Sequence, residues 1–192
     1  MYAKTEKVLK KVANYDKIQA LMERYIKEAL EEAKIALSMD EIPIGAVIVR
    51  DGVIIGRGHN TTEHDHNPTS HAEMNAIKEA SKFLGETLGF RRLTGCDMYV
   101  TMEPCSMCAG ALVWARIENL YVATPDPKAG GCGSVLDITG EPRLNHHVNV
   151  VYLPDSELKT ECQEIVREFF RKKRELQKEE KILKRLTEEE LV

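Results

Sequence analysis

The sequence predicts an α/β fold in which a five-stranded mixed sheet lies between two layers of helices, a three-layer αβα sandwich. Two observations predict it. Runs of β-branched residues alternate along the chain with segments of helical periodicity, and one Asp-Gly pair separates two neighbouring runs. Strand–helix–strand repeats give parallel strands, whereas a tight turn joins antiparallel ones, so the sheet is expected to be mixed.

The first half of the chain supplies a helix, a hairpin and a second helix. Apolar residues recur at three- and four-residue spacing over residues 18–37, which predicts an amphipathic helix. The β-branched runs at residues 44–49 and 53–56 flank the Asp-Gly pair and predict the hairpin. After a polar loop, residues 70–84 are predicted to form the next helix.

The second half repeats the strand–helix–strand pattern. Residues 97–102 have the composition of a buried strand, and a helix is predicted to follow over residues 105–115. Further strands are predicted at residues 120–123 and 148–153, separated by a long loop rich in glycine and proline. The last helix is expected over residues 157–185, with a strongly charged later half.

Composition excludes several classes of protein. The net charge of −4 gives no general attraction to nucleic acid, so any such partner must be held by local basic patches. No apolar run approaches the roughly 20 residues that span a bilayer, and the lysine-rich N-terminus lacks the apolar segment of a secretory signal. Five cysteines, an odd number, favour a reducing cytoplasm over a disulfide framework. Cys96, Cys132 and Cys162 are expected to be buried thiols.

Three residues have the types and spacing of metal ligands. They are His71, which begins a His-Ala-Glu triplet, and the pair Cys105 and Cys108 in a Pro-Cys-x-x-Cys motif. A structural zinc site is closed by four protein ligands, whereas a catalytic site uses three and leaves a position for water. The three residues therefore predict a catalytic zinc centre, with one ion per subunit.

Glu73 is the candidate general acid and base of this centre. Its alternative role is structural, because Ser70 and Glu73 have the spacing of a helix capping box. A second alternative is a fourth ligand from His59, His64 or His66, which would close the site. The combination His-x-Glu with Pro-Cys-x-x-Cys matches the known signature of zinc nucleobase deaminases, in which an exocyclic amine is replaced by oxygen and ammonia is released.

The chain resembles the cytidine-deaminase-like superfamily on these two motifs. Within it, the sequence is most similar to the bacterial tRNA-specific adenosine deaminases, which convert the wobble adenosine of an anticodon to inosine. The similar segments are residues 42–49, 58–60, 67–73, 92–96, 99–111, 126–130, 133–134, 143–146 and 169–171. The resemblance implies a cytidine-deaminase-like fold, hydrolytic zinc-dependent deamination, a tRNA anticodon stem-loop as partner and a homodimer. The deaminase domain is expected at residues 21–175, between an N-terminal extension at 1–20 and a charged helical tail at 176–192.

The resemblance also implies roles for residues outside the zinc motifs. Asn60 is expected to hydrogen-bond the target base, Ala72 to line its amine side together with Glu73, and Asn145 to lie beside the flipped nucleotide. We expect contacts with RNA from a set that combines the loop after the fourth strand with the basic stretch of the last helix: Asp126, Lys128, Phe170, Arg171, Lys173 and Arg174.

Two other functions fit part of the pattern. Deamination of a free base or nucleoside, guanine first and then cytosine or cytidine, uses the same zinc motifs and has no need of basic residues for phosphates. A zinc-binding module without catalysis would need the ligands but not Glu73. The basic stretch after Phe169 favours a nucleic-acid substrate, and Glu73 favours an enzyme.

Overall fold

The computed structural model describes residues 2–89 and 92–189 of the chain. Within these ranges, four helices and five strands follow one another in the order expected from the sequence. Their bounds are α1 Tyr2–Ser38, β1 Gly45–Arg50, β2 Val53–His59, α2 Ala72–Leu88, β3 Asp97–Met102, α3 Ser106–Ala115, β4 Asn119–Thr124, β5 Asn149–Tyr152 and α4 Glu157–Glu189.

The sheet is mixed, as predicted. Its spatial order is β2-β1-β3-β4-β5. Strand β1 is antiparallel to both of its neighbours, whereas β3, β4 and β5 are parallel to one another. Four of the five strands therefore run in one direction and end at the same edge of the sheet, which we call the carboxyl edge.

Helices cover both faces of the sheet, which confirms the three-layer sandwich. Successive residues of a strand point to opposite faces, so Ile48 and Met98 face one layer while Val47 and Tyr99 face the other. The first layer is α2 with α3, and the second is α1 with α4. Cys96 and Cys132 are buried in the first core and Cys162 in the second, as expected of inert thiols.

Glycines allow α2 to lie very close to strand β2. A Cβ atom added to Gly58 would lie 2.2 Å from the carbonyl oxygen of Ala72, and one added to Gly56 would lie 2.5 Å from that of Ala76. No side chain fits in these spaces, so the backbone of α2 rests directly on the strand. Gly58 therefore determines how closely the N-terminus of α2 approaches the sheet.

Two helices extend beyond the expected boundaries of the deaminase domain. Helix α1 is continuous from Tyr2 and α4 is continuous to Glu189, so the divisions at residues 20/21 and 175/176 fall inside helices. The division into three parts stays a prediction, and Met1 and residues 190–192 lie outside the described residues. Helix α4 passes the ends of β3 and β4, and Lys173 then forms an ion pair with Asp40 beyond the end of α1. No helix among the described residues has the length and apolarity needed to cross a membrane.

Candidate metal centre

Two helix N-termini meet at the carboxyl edge and present the predicted ligands. Helix α2 begins directly after His71 and α3 directly after Cys105, so both residues occupy N-cap positions with extended backbone. Cys108 lies in the first turn of α3. The capping-box alternative places the N-cap at Ser70, one residue before the observed N-cap His71. Ser70 belongs to the preceding loop, where its carbonyl accepts a hydrogen bond from the Thr61 N–H at 3.0 Å.

The three predicted ligands converge on one point. His71 Nδ1 lies 3.7 Å from the Cys105 sulfur and 3.6 Å from the Cys108 sulfur. One ligand atom from each of the three residues lies within 4.8 Å of the other two. Among the described residues, these three side chains form the group that could hold a metal ion. His59 instead contacts Glu32, with 2.9 Å between Nδ1 and Oε2. Among the described residues, none of the three histidines considered as a fourth ligand belongs to this group, so the centre has three protein ligands available.

The electrostatics of the centre favour a bound cation. A hydrogen bond from the Cys108 thiol, and then one from His71, lower the pKa of Cys105 to about 3. The same hydrogen bond raises the pKa of Cys108, and the contact with Cys105 raises the pKa of His71. The lowered pKa of Cys105 and its position at a helix N-terminus both favour its thiolate form. A divalent cation bound there would displace the remaining thiol proton.

Glu73 lies in the first turn of α2 with only 3% of its surface exposed. Burial raises the pKa of its carboxyl group, because the charged form loses its hydration. The N-cap residue of α2 is His71 rather than Ser70, and its side chain makes no capping hydrogen bond. The capping-box alternative therefore does not describe this helix, and the buried carboxyl group is left beside the metal ligands.

Asn60 and Ala72 lie next to His71, whereas Asn145 does not. The side chain of Asn60 is buried, and its Oδ1 accepts a hydrogen bond from the Ala72 N–H at 2.9 Å. The carbonyl of Asn145 accepts a hydrogen bond from Arg116, the C-cap residue of α3. Because α3 begins at the metal ligands and rises about 1.5 Å per residue, its ten residues place the backbone of Arg116 roughly 15 Å from its start, and Asn145 is bonded to the side chain at that far end.

A groove of about 620 Å³ lies between the loop after β4 and helix α4. It brings together four of the six residues expected to contact RNA, namely Asp126, Lys128, Phe170 and Arg174. Its lining combines apolar side chains with three basic side chains and one acidic side chain. The full lining is Met102, Thr124, Pro125, Asp126, Pro127, Lys128, Gln163, Val166, Arg167, Phe170 and Arg174.

The other two residues expected to contact RNA form ion pairs within the chain. Arg171 forms ion pairs with Glu168 and Glu175 on α4, at 2.5 and 2.7 Å, and Lys173 pairs with Asp40. Arg174 has no ion-pair partner among the described residues. Of the two phenylalanines, Phe169 is buried in the core and Phe170 is 41% exposed. The groove therefore depends on Phe170 and Arg174 more than on the rest of the basic stretch.

Two buried carboxylates that the sequence did not single out fasten the loops around the centre. Glu41 accepts hydrogen bonds from the N–H groups of Glu63 and His64, both at 2.8 Å. Glu103 accepts four hydrogen bonds from the loop after β4. Burial acts to raise the pKa of Glu103, but hydrogen bonds from Ser134 and the loop backbone outweigh it and lower the pKa. The signal available in the sequence was an acidic residue between a buried strand and the Pro-Cys pair.

The fold and the centre define a deaminase, and the comparisons with known proteins agree. The family model of the MafB19-like deaminases matches residues 21–174. The tRNA-specific adenosine deaminase of Aquifex aeolicus is 47% identical over 152 residues, which cover 79% of this chain and 95% of that protein. The chain belongs to the family of tRNA-specific adenosine deaminases.

Solved structures show how similar two kinds of deaminase are to this chain. The structure of a tRNA:A34 deaminase, from a study of A-to-I editing at the wobble position, is 41% identical with a TM-score of 0.66; the match covers 74% of this chain and 98% of that one. A guanine deaminase of Bacillus subtilis is 32% identical with a TM-score of 0.51, covering 73% of this chain and 90% of that one. Sequence identity and TM-score are both higher for the tRNA deaminase.

Proposed function

We propose that this protein hydrolyses the wobble adenosine of a tRNA anticodon to inosine, with one zinc ion per subunit as cofactor and Glu73 as general acid and base. The observation that carries the proposal is the buried carboxyl group of Glu73 beside a three-residue metal centre, in a chain that belongs to the tRNA-specific adenosine deaminase family. The enzyme is expected to work in the cytoplasm.

The geometry of the three ligands fits zinc. With zinc–sulfur bonds of about 2.3 Å and a zinc–nitrogen bond of about 2.0–2.1 Å, tetrahedral angles place the nitrogen and each sulfur about 3.6 Å apart. The distances of 3.7 and 3.6 Å from His71 Nδ1 to the two sulfurs agree with this value. Zinc bound by His71, Cys105 and Cys108 would supply a Lewis acid that makes water a nucleophile near neutral pH.

The proton transfers fall to Glu73. In the net reaction the bond between C6 of adenine and its amine breaks, a bond from C6 to the oxygen of water forms, and ammonia leaves. Glu73 accepts one proton from the attacking water and passes it to the ring nitrogen. It then takes the second proton from the new hydroxyl group on C6 and gives it to the leaving amine, as the oxygen becomes a carbonyl. Because burial raises its pKa, the carboxyl group can both accept and return the proton near the working pH.

The residues around the centre suit a nucleotide that is bound both through its own base and through the adjacent nucleotides of the RNA. Since Oδ1 of Asn60 is bonded to Ala72, the group that Asn60 offers to a purine is its amide nitrogen, a donor. The groove beside the centre combines the exposed ring of Phe170 with Lys128 and Arg174, which suits stacking with a flanking base and contact with its phosphate. A base in an anticodon loop is extruded at little cost.

We further propose that the enzyme acts as a homodimer in which Asn145 serves the site of the partner. Asn145 is bonded to Arg116, at the end of α3 that is far from the metal ligands of its own chain, and Trp114 near that end of the helix is 84% exposed. The test is to mix two inactive variants, Glu73→Gln and Asn145→Ala. Mixed dimers then have one intact site, so activity should return on mixing. If activity stays absent although light scattering shows mixed dimers, the sharing of sites is refuted.

Substrate assays separate the proposed function from its alternatives. Zinc-loaded protein is incubated with a tRNA that has adenosine at the wobble position, and separately with guanine, cytosine and cytidine; inosine and ammonia are measured. The same tRNA with guanosine at that position is the matched control. Inosine at the anticodon alone supports the proposal. Guanine is the second candidate because of the similarity to a guanine deaminase, and its turnover without any effect on tRNA refutes the proposal. No turnover at all favours a binding module.

A further inference from the structure

Glu103 connects the segment of the metal ligands with the loop that forms the groove. It lies between β3 and Pro104, two residues before Cys105, and is 4% exposed. Its Oε1 accepts the N–H groups of Cys132 and Ser134 at 3.0 and 3.1 Å. Its Oε2 accepts the Asp126 N–H at 3.0 Å and the Ser134 hydroxyl. All four donors belong to one loop, residues 125–134.

The loop is shaped to receive this carboxylate. A Cβ atom on Gly130 would lie 2.5 Å from the Glu103 carboxyl group, so a larger residue would displace one or the other. The Gly131 N–H donates to the Pro104 carbonyl at 2.8 Å, and Gly130 forms a β-bridge with Cys105. The loop is therefore joined to the ligand segment at Glu103 and at the two residues that follow it. No lysine or arginine among the described residues forms an ion pair with Glu103, so the loop donors balance its charge.

The function of this arrangement follows from what the loop holds at its other end. The Asp126 N–H is bonded to Glu103, while the Asp126 Oδ1 accepts the Lys128 N–H at 2.9 Å. Both residues line the groove. A shift of the loop away from Glu103 would therefore move the wall of the groove relative to Cys105 without changing any metal ligand.

We propose that Glu103 is a positioning residue that holds the loop of residues 125–134 in register with the metal centre, so that RNA in the groove presents its base to the site. The role of the loop in RNA binding rests on the proposed function. The structural part, a single carboxylate that fixes the loop through four hydrogen bonds, does not. A neutral amide cannot replace it, because glutamine has one acceptor oxygen and would turn an NH₂ group toward loop donors.

The test compares Glu103→Gln with Glu118→Gln, which removes the same charge from an exposed carboxylate at the opposite edge of the sheet. Hydrogen exchange of peptides from residues 125–134 is measured first, with residues 60–70 as internal reference. We expect faster exchange in Glu103→Gln alone, with the zinc content of the wild type. The KM for an anticodon stem-loop should rise about 10- to 100-fold, more than kcat falls.

Ser134→Ala removes one donor and leaves the carboxylate, so it keeps the proposal testable if Glu103→Gln does not fold. It should give the same changes on a smaller scale, and adding it to Glu103→Gln should change little. Unchanged exchange in the loop overturns the proposal, and so does a loss of zinc without faster exchange, because Glu103 would then act on Cys105. If the wild type does not deaminate the stem-loop, the proposed function fails, while the exchange data still decide the role of Glu103.

Discussion

Replacing Gly58 by alanine tests whether the close contact of strand β2 with α2 sets the position of His71. The added Cβ atom would lie 2.2 Å from the carbonyl oxygen of Ala72, whereas ordinary contact begins near 3.4 Å. The start of α2 must therefore retreat by about 1 Å. His71 directly precedes Ala72, so the imidazole moves with the helix. Strain of this kind costs about 1–3 kcal/mol of stability.

The functional loss should exceed the loss of stability. Metal–ligand distances tolerate changes of about 0.2 Å, so a displacement of about 1 Å removes His71 from its bonding distance. A misplacement of about 1 Å at a catalytic site costs about 100-fold in rate. We therefore expect Gly58→Ala to fold, to lose zinc to a chelator more readily than the wild type, and to retain about 1% of kcat/KM or less.

The matched control is Gly45→Ala. Its added Cβ atom would lie 2.0 Å from the carbonyl oxygen of Ala29, so it creates a similar clash, but against α1 on the other face of the sheet. This variant should lose stability without a comparable loss of zinc affinity. Thermal unfolding, zinc content after dialysis against a graded chelator, and steady-state deamination are measured for both. The reasoning is refuted if Gly58→Ala binds zinc as the wild type does, or if Gly45→Ala releases it equally.

Three further predictions concern the chemistry, the RNA contact and the dependence of stability on pH. Glu73→Gln should keep zinc, but its rate of single-turnover inosine formation should fall about 10²–10⁴-fold. Near-normal activity would contradict a catalytic role of Glu73. Arg174→Gln should lower the slope of log affinity against log salt for an anticodon stem-loop by about one, measured by fluorescence anisotropy, whereas Arg171→Gln should change it less because two glutamates already bind that side chain. Equal effects would contradict this ranking. Burial raises the pKa of Asp97 above its ordinary value of 3.8. Its contribution to stability is therefore fully present below that value and is lost as pH rises through the higher pKa of the folded state. Asp97→Asn should accordingly gain stability relative to the wild type between about pH 4 and pH 7 in urea unfolding, and a constant difference would exclude this effect.

The sequence predicted those features that depend on local spacing. Helical periodicity, the Asp-Gly turn and the β-branched runs were sufficient for the order of elements and the mixed sheet, and the two motifs were sufficient to bring His71, Cys105 and Cys108 together. The cap of α2 was misplaced by one residue, because a hydrogen bond from Thr61, a residue of the preceding loop, holds Ser70.

Long-range contacts could not be predicted in the same way. The donors to Glu103 lie 23 to 31 residues further along the chain, and no periodic pattern connects them. The pairing of Arg171 with Glu168 and Glu175 was available from its helical spacing, but the exposure of Arg174 beside the groove depends on how α4 crosses the sheet. The groove that we propose for RNA therefore needed the tertiary structure to be recognised, whereas the candidate metal centre could be predicted from its two motifs.

Because four strands end at the carboxyl edge, the edge of the sheet opposite the metal ligands is available for attaching a linker or a second protein. The hairpin turn at Asp51 and Gly52 lies there, with positive φ at both residues, and is steadied by a hydrogen bond from the Tyr25 hydroxyl to the Gly52 carbonyl. A six-residue strand is about 20 Å long, so this turn is separated from the metal ligands by roughly that distance. A surface linker or a fused second protein joined at this turn would leave the entrance of the site facing outward.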